Sequence, residues 1–288
     1  MPVGGRCPGA PRRGRASPRT AVSARHGPAV SGDVIRRVLA PNPGPFTLDG
    51  TNTWIVGRDP SIVIDPGPGD RPHVERVAEE AGPVGAILLT HHHPDHAPGA
   101  ALLSELTGAA ARAWAPWDGE RAIGDGDEVR GGGVRLRAVH TPGHTSDHLV
   151  FFEPDAGALF TGDAVLGWGT SVVDPPDGDL AAYLRSLEQM RALRPRTLYP
   201  GHGPVVDDAD GKLREYLGHR AERERQILDG LADGPKTPEE LVPSIYDAYP
   251  VELHPAAARS VLAHLLKLAA EGTVVRVDRD HDRFRLAP

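Results

Sequence analysis

The sequence predicts an α/β layered sandwich that leads into a small C-terminal helical unit. Three observations carry this. From Asp33 onward, short apolar runs alternate with amphipathic stretches of helical period, the pattern of strands and helices stacked in layers. The densest groups of histidine and aspartate stand on loops just past the ends of those runs. After His202 the alternation gives way to long charged helical segments and a final hairpin. These shifts predict a tail over residues 1–32, a main domain over 33–206 and a helical unit over 207–288.

A chain of 288 residues, 39% hydrophobic and 25% charged, can bury one large core and one small one. No apolar run approaches the ~20 residues that span a bilayer, so no membrane partner is expected. Cys7 is the only cysteine, which excludes an internal disulfide and a thiolate metal cluster and makes a reducing, cytoplasmic compartment the simplest expectation. Residues 1–32 carry Arg6, Arg12, Arg13, Arg15, Arg19 and Arg25 without an acid, and their Gly, Pro and Ser content is that of a disordered segment. They lack the apolar centre of a secretory signal, and their prolines and glycines would break a transit-peptide helix. Removing those six charges from the net −7 leaves −13 on the remainder, a body that repels nucleic-acid phosphates at long range.

In chain order, Val34–Leu39, Phe46–Leu48, Thr51–Val56 and Ser61–Asp65 read as strands, punctuated by Pro41–Pro45 and the turn dipeptide Asp49-Gly50. Residues 71–81 read as an amphipathic helix and 84–90 as a buried strand. Pro98–Thr107 is the next helix, with Leu102, Leu103 and Leu106 on one face, and Arg112–Ala115 and Glu128–Thr141 add strands. Asp179–Leu193 is amphipathic, its stripe formed by Leu180, Tyr183, Leu184, Leu187, Met190 and Leu193.

The apolar strand ending at Leu89 runs straight into Thr90-His-His-His-Pro-Asp-His96. Imidazole nitrogens and carboxylates are the donors that a zinc-like divalent ion prefers. His91 and His93, two apart beyond a strand end, can point to one side and grip one ion. Asp95 and His96 lie further on and can reach a second. Three more donors stand on strand-end turns: His144 in Thr-Pro-Gly-His-Thr, Asp163 in Thr-Gly-Asp, and His202 in Pro-Gly-His-Gly-Pro. Each is a weak signal alone; together they supply two ions, with Asp163 able to bridge. Asp65 closes an apolar strand, where it serves either to orient a ligand histidine or to cap a helix.

Other histidines read more plainly. His92 alternates with two ligand candidates and should face away, toward solvent. His140 is structural, and His148 starts a strand near the site, where it packs or touches a ligand or substrate. His219, His254, His264 and His281 fall outside the ligand pattern.

The C-terminal unit begins with a charged helix from about Asp208 to Leu231. Thr237-Pro-Glu-Glu240 has the form of a capping box opening a helix to Tyr246. Pro255–Glu271 packs Val261, Leu262, Leu265, Leu266 and Leu268 inward and stops at Gly272. Thr273–Val277 and Arg283–Leu286 form a hairpin, which completes a winged-helix-like shape. Its groove-reading helix would offer only Arg259 and Lys267 against Glu271, so a wall beside the site is expected, not a duplex DNA reader.

The set His91, His93, Asp95, His96, His144, Asp163 and His202, in the motifs quoted above, resembles the metallo-β-lactamase superfamily. Asn42-Pro-Gly-Pro-Phe-Thr-Leu-Asp-Gly-Thr-Asn-Thr-Trp54 and the C-terminal unit resemble its β-lactamase-like protein 2 branch, whose animal members are endoribonucleases acting on single-stranded RNA. The likeness runs from about Asp33 to the end. It implies a metallo-β-lactamase-type αββα sandwich with a winged-helix-like domain. It also implies two zinc ions, one on His91, His93 and His144, the other on Asp95, His96 and His202, with Asp163 bridging. True lactamases that bind two zincs place a cysteine or another ligand where Asp163 stands, so antibiotic hydrolysis is not expected. Glyoxalase II shares the ligands but not the C-terminal part. Fungal thioesterases that release polyketides resemble this branch as well.

Two such zincs, ~3.5–4 Å apart, would hold a bridging water, lower its pKa toward ~7 and deliver hydroxide to a phosphorus or an acyl carbon. Asp95 would orient that hydroxide and take its proton. The expected function is therefore a dinuclear zinc hydrolase acting on single-stranded RNA, or on small-molecule esters or thioesters. A DNA-binding regulator with structural metals is the weakest alternative, because a structural site would be closed. The acidic body and the absence of stacking aromatics near the site weigh against tight RNA binding.

Overall fold

The computed structural model describes residues 34–117, 119–247, 250–278 and 282–288. The tail 1–32, with Cys7, and His281 lie outside the described residues.

The first sheet carries six strands in chain order. They are β1 (Ile35–Leu39), β2 (Asn52–Val56), β3 (Ser61–Ile64), β4 (Val84–Leu88), β5 (Ala111–Ala113) and β6 (Arg121–Ala122). β1 to β3 pair antiparallel, and β3 to β6 pair parallel. Helices α1 (Arg71–Ala81) and α2 (Gly99–Thr107) cross over between the parallel strands. The second sheet contains β7 (Glu128–Gly131), β8 (Val134–His140), β9 (Leu149–Glu153), β10 (Ala158–Gly162) and β11 (Thr197–Pro200). Its order is β11-β10-β9-β8-β7. The α3 helix (Leu180–Ala192) joins β10 to the parallel β11, and α4 (Ala209–Gly230) follows.

The strands are apolar on both faces because both faces are covered. Trp54, Val56, Ile62, Ile64 and Leu88 pack against Leu136, Leu149, Phe151 and Phe160 between the sheets. The alternating Ile55, Val63, Ile87 and Leu89 face α1 and α2 with Val74, Val77 and Leu103. Val150, Leu159 and Leu198 face Tyr183, Leu187, Leu213 and Tyr216 of α3 and α4. The result is the expected αββα sandwich.

The C-terminal unit consists of the end of α4, α5 (Pro238–Ile245), α6 (His254–Ala270), β12 (Val274–Asp278) and β13 (Arg283–Leu286). Thr237 and Glu240 form the capping box reciprocally. Ile227, Leu231, Leu241, Val261, Leu265 and Phe284 make its core, while Leu213 and Tyr216 of the same α4 belong to the main one. The long helix therefore locks the two units together.

Two elements differ from expectation. Phe46–Leu48 is a turn closed by the Gly44–Leu48 bridge, not a strand, because Thr47 Oγ1 donates to Asn42 O at 2.6 Å. Leu106 is 44% exposed, since the nine-residue α2 rests on the sheet mainly through Ala100 and Leu103. The strands expected within Glu128–Thr141 form a hairpin reversed at Gly132 and Gly133.

Candidate metal centre

Strands β4, β8, β10 and β11 all end at one edge of the sandwich, and the loops beyond them converge there. Donor atoms of His91, His93, His144 and Asp163 lie within 4.8 Å of one another, as do those of Asp95, His96 and His202. Asp163 Oδ1 faces His96 Nε2 at 3.4 Å and His202 Nε2 at 3.3 Å, while Oδ2 turns to His144 Nε2 at 3.8 Å. The two carboxylate oxygens thus look into the two groups.

The hydrogen bonds around the cluster fix which nitrogens face inward. His202 Nδ1 bonds the Gly50 carbonyl at 3.1 Å, and His144 Nδ1 the Val172 carbonyl at 2.6 Å. Carbonyls only accept, so both Nδ1 atoms carry the hydrogen and both Nε2 atoms present lone pairs inward. His96 Nδ1 donates to Asp65 Oδ2 at 2.9 Å. Thr90 Oγ1 donates to Asp65 at 2.7 Å and so accepts from His91 Nδ1 at 2.9 Å. His91 Nε2 is then a buried lone pair with no partner. Lone pairs face each other at 3.2 Å between His96 and His202 Nε2, and His93 Nδ1 lies at the same distance from the His144 Nε2 lone pair. Such a set is repulsive without protons or cations and fits a pair of metal ions.

Protons hold the cluster together when no metal does. Burial alone would lower His202, but the Asp163 carboxylate raises it to about 9. His96 is raised well above the ordinary value against the same desolvation, through Asp163 and then Asp65. His91, fully buried and beside His96, is pushed well below it.

Asp65 accepts from Thr90 N, Thr90 Oγ1 and His96 Nδ1 and is 2% exposed, in a left-handed backbone conformation at φ 49°. It orients two cluster histidines directly or through Thr90 and caps no helix; Asp70 caps α1. His148 is buried, and its Nε2 accepts the Asp163 N–H at 3.2 Å while Nδ1 meets Thr141 Oγ1 at 3.1 Å. Burial, then the charge of His144, depresses it to about 3, which keeps it the neutral acceptor this bond needs. His140 stacks on Trp114 at 3.7 Å.

His92 corrects the sequence reading. It faces away from the donor cluster but not into solvent: Asp147 holds Nδ1 at 2.6 Å, Glu120 holds Nε2 at 2.9 Å, and Trp117 stacks on the ring. The two carboxylates come from loops distant in sequence, so spacing could not reveal them.

Residues that local reading left unassigned build the rest. Asn52 N and Nδ2, with Trp54 Nε1, bond the carbonyls of Gly201, Pro200 and Gly203, and so hold the loop that presents His202. Thr51 Oγ1 donates to Asp95 Oδ2 at 3.1 Å while accepting from Asn42 Nδ2. Tyr183 and Tyr216 hydroxyls bond Ala164 O and Leu166 N, which fixes the loop after Asp163. Gly201 must be glycine, because a Cβ there would come within 2.6 Å of Asp163 Oδ1.

The cluster opens into a cavity of about 1040 Å³, walled by the main domain on one side and by α4 and α6 on the other. Phe46 and Trp168, each 61% exposed, stand on its lining. Aromatic surface is therefore available at the site, contrary to the sequence expectation, because distant loops bring it there.

Residues 46–114 and 108–202 match the metallo-beta-lactamase superfamily, and residues 237–283 match the beta-lactamase associated winged helix domain. The chain belongs to that superfamily and carries its associated winged helix. It is 35% identical over 271 residues to a beta-lactamase-like protein 2 homolog of Drosophila melanogaster, covering 85% of this chain and 91% of the relative. To an atrochrysone carboxyl ACP thioesterase of Aspergillus fumigatus it is 36% identical over 239 residues, covering 75% of each. A metallo-beta-lactamase family protein from Thermus thermophilus superposes with TM-score 0.76 at 26% identity, covering 88% of this chain and 99% of that one.

Proposed function

We propose that the protein is a dinuclear zinc hydrolase acting on a small-molecule ester or thioester. The observation that carries the substrate class is the cavity of about 1040 Å³, which has the size and largely apolar lining of a site that engulfs a small molecule. His91, His93 and His144 would hold one ion and Asp95, His96 and His202 the other, with Asp163 shared. Ions bound there supply a Lewis acid for the substrate oxygen and a water acidified toward ~7.

The remaining work falls to the chain. Thr51 fixes the Asp95 carboxylate, and its imidazole neighbours, overcoming its burial, hold that group far below the usual carboxylate range. Asp95 therefore stays an anion, able to accept a hydrogen bond from the attacking water and align it. Asp65 and His148 keep ligand histidines and the Asp163 backbone in place, in the manner of outer-shell partners that tune metal sites.

One observation favours a second reading, cleavage of single-stranded RNA: Phe46 and Trp168 stand exposed where bases could stack. Duplex DNA is not a partner in either reading, since Arg259 is engaged by Asp174 and Pro175 and Lys267 by Glu224 and Glu271. Zinc-loaded protein should hydrolyse members of an acyl thioester panel and lose that activity to a chelator. Cleavage of single-stranded RNA with every thioester inert would replace the first reading with the second.

A further inference from the structure

Arg220 of α4 lines the wall of the cavity and is only 3% exposed. Its guanidinium donates to the Ser171 carbonyl and lies 5.3 Å from the Tyr183 ring centre, yet its Nε has no partner and it forms no ion pair among the described residues. Beside it His219 Nδ1 and both nitrogens of buried His264 are also without partners. Burial first, then the charge of Arg220, depresses His219 to about 4 and His264 to about 3, so neither shares the load.

The acids on the same wall are engaged elsewhere. Asp174 pairs with Arg259, Glu215 with Lys212, and Asp177 accepts Ser146 N. A buried guanidinium facing a cavity with no counter-anion is costly, and the Ser171 carbonyl, the Tyr183 hydroxyl and the Tyr183 ring offset that cost only in part. Its position is also tied to the metal centre: Ser171 O holds Arg220, and the next carbonyl, Val172 O, holds His144.

We infer that Arg220 receives the carboxylate of the substrate, an amphipathic acid whose apolar body lies along Leu48, Leu166, Leu253 and Ala256. Among the described residues of the lining, one guanidinium without an ion pair beside apolar side chains fits one acid on a hydrophobic frame, whereas an RNA strand needs a cation track for successive phosphates. The anion site stands on Arg220's surroundings; calling its occupant a substrate rests on the hydrolase reading.

The probes are phenylbutyrate and its uncharged amide, titrated calorimetrically into the zinc-loaded full chain. The acid should bind about tenfold or more tightly, the contribution of a charge-assisted contact. Arg220→Gln should bring the ratio to about one, and Arg220→Lys should restore part of it. Should these variants fail to fold, a co-crystal of the wild type with bromophenylbutyrate locates the bromine and the carboxylate directly. A carboxylate on Arg220 supports the assignment; one on the histidine cluster, or a preference that survives Arg220→Gln, overturns it, as would Arg220-dependent displacement of the probe by oligouridylate. Glutaryl and pentanoyl thioesters of N-acetylcysteamine separate the two conclusions. Hydrolysis without preference for the glutaryl acid defeats the carboxylate site alone. Inert thioesters with Arg220-dependent phenylbutyrate binding defeat the hydrolase reading alone.

Discussion

Metal-free protein should lose stability as the pH rises from about 6.5 to about 9, and Asp163→Asn should remove most of that loss. The folded, metal-free state holds a proton on His202 up to about 9, against 6.5 for an ordinary histidine, because Asp163 lies 3.3 Å from Nε2. A raised folded pKa contributes fully below the unfolded value and vanishes as pH climbs through the folded one. The interval between 6.5 and about 9 corresponds to about 3 kcal/mol at ~1.36 kcal/mol per pH unit. His96 is raised the same way and adds in the same direction. Metal reverses the sign: ions displace these protons, so binding tightens with pH, and the stability gap between loaded and chelated protein widens over the same range. Denaturant unfolding of both forms at several pH values, for wild type and Asp163→Asn, measures this. A chelated wild type whose stability is flat or rising, or a variant with the wild-type slope, would refute the proton-held cluster.

Elemental analysis should find close to two metal ions per chain; a content near one with full activity would show the second group of donors to be dispensable. Asp163→Ala should lower turnover of any hydrolysed substrate at least ~100-fold with the circular dichroism intact, because on the proposed two-ion reading both ions would lose a shared ligand. Near-wild-type turnover would end the two-metal mechanism. His92→Ala leaves Asp147 and Glu120 facing an empty slot and should cost about 2 kcal/mol, read by denaturant unfolding; a change under ~0.5 kcal/mol would mean the clamp is ornamental. A chain ending near Val206 removes Leu213 and Tyr216 from the main core and should be insoluble or inactive. Undiminished hydrolysis by that truncation, or nanomolar sequence-specific duplex binding by the full chain, would restore the regulator reading.

The donors were legible in the sequence because metal chemistry restricts residue type and the strand-end rule restricts position. His91 and His93 show this locally, and His144, Asp163 and His202 repeat it at separate turns. Apart from Asp65, read from its strand-end position and found holding His96, most of what surrounds them was not legible, because those contacts join distant segments. Asn52 and Trp54 reach Pro200, Glu120 and Asp147 close on His92, and Arg220 reaches Ser171. Each such residue looks ordinary beside its neighbours in the chain. The fold itself was readable from the strands, whose unbroken apolar runs require cover on both faces. Leu106 and Phe46 misled because helix length and turn bonding overrode apolar character.

The topology explains why the site is both rigid and open. β4 lies in one sheet and β8, β10 and β11 in the other, yet all four end at the same edge. The donor cluster is therefore assembled across the sandwich, and only the folded pair of sheets brings His91, His93, Asp95 and His96 against His144, Asp163 and His202. Tyr183 and Tyr216 fix the Asp163 loop from α3 and α4, and α4 then continues into the C-terminal unit that walls the cavity. One helix thus shares its length between the support of the donor cluster and the wall of the cavity. Arg220 sits on that helix one turn beyond Tyr216, so on the proposed reading the same packing that steadies Asp163 would also set the distance between the reacting end of a bound acid and its carboxylate.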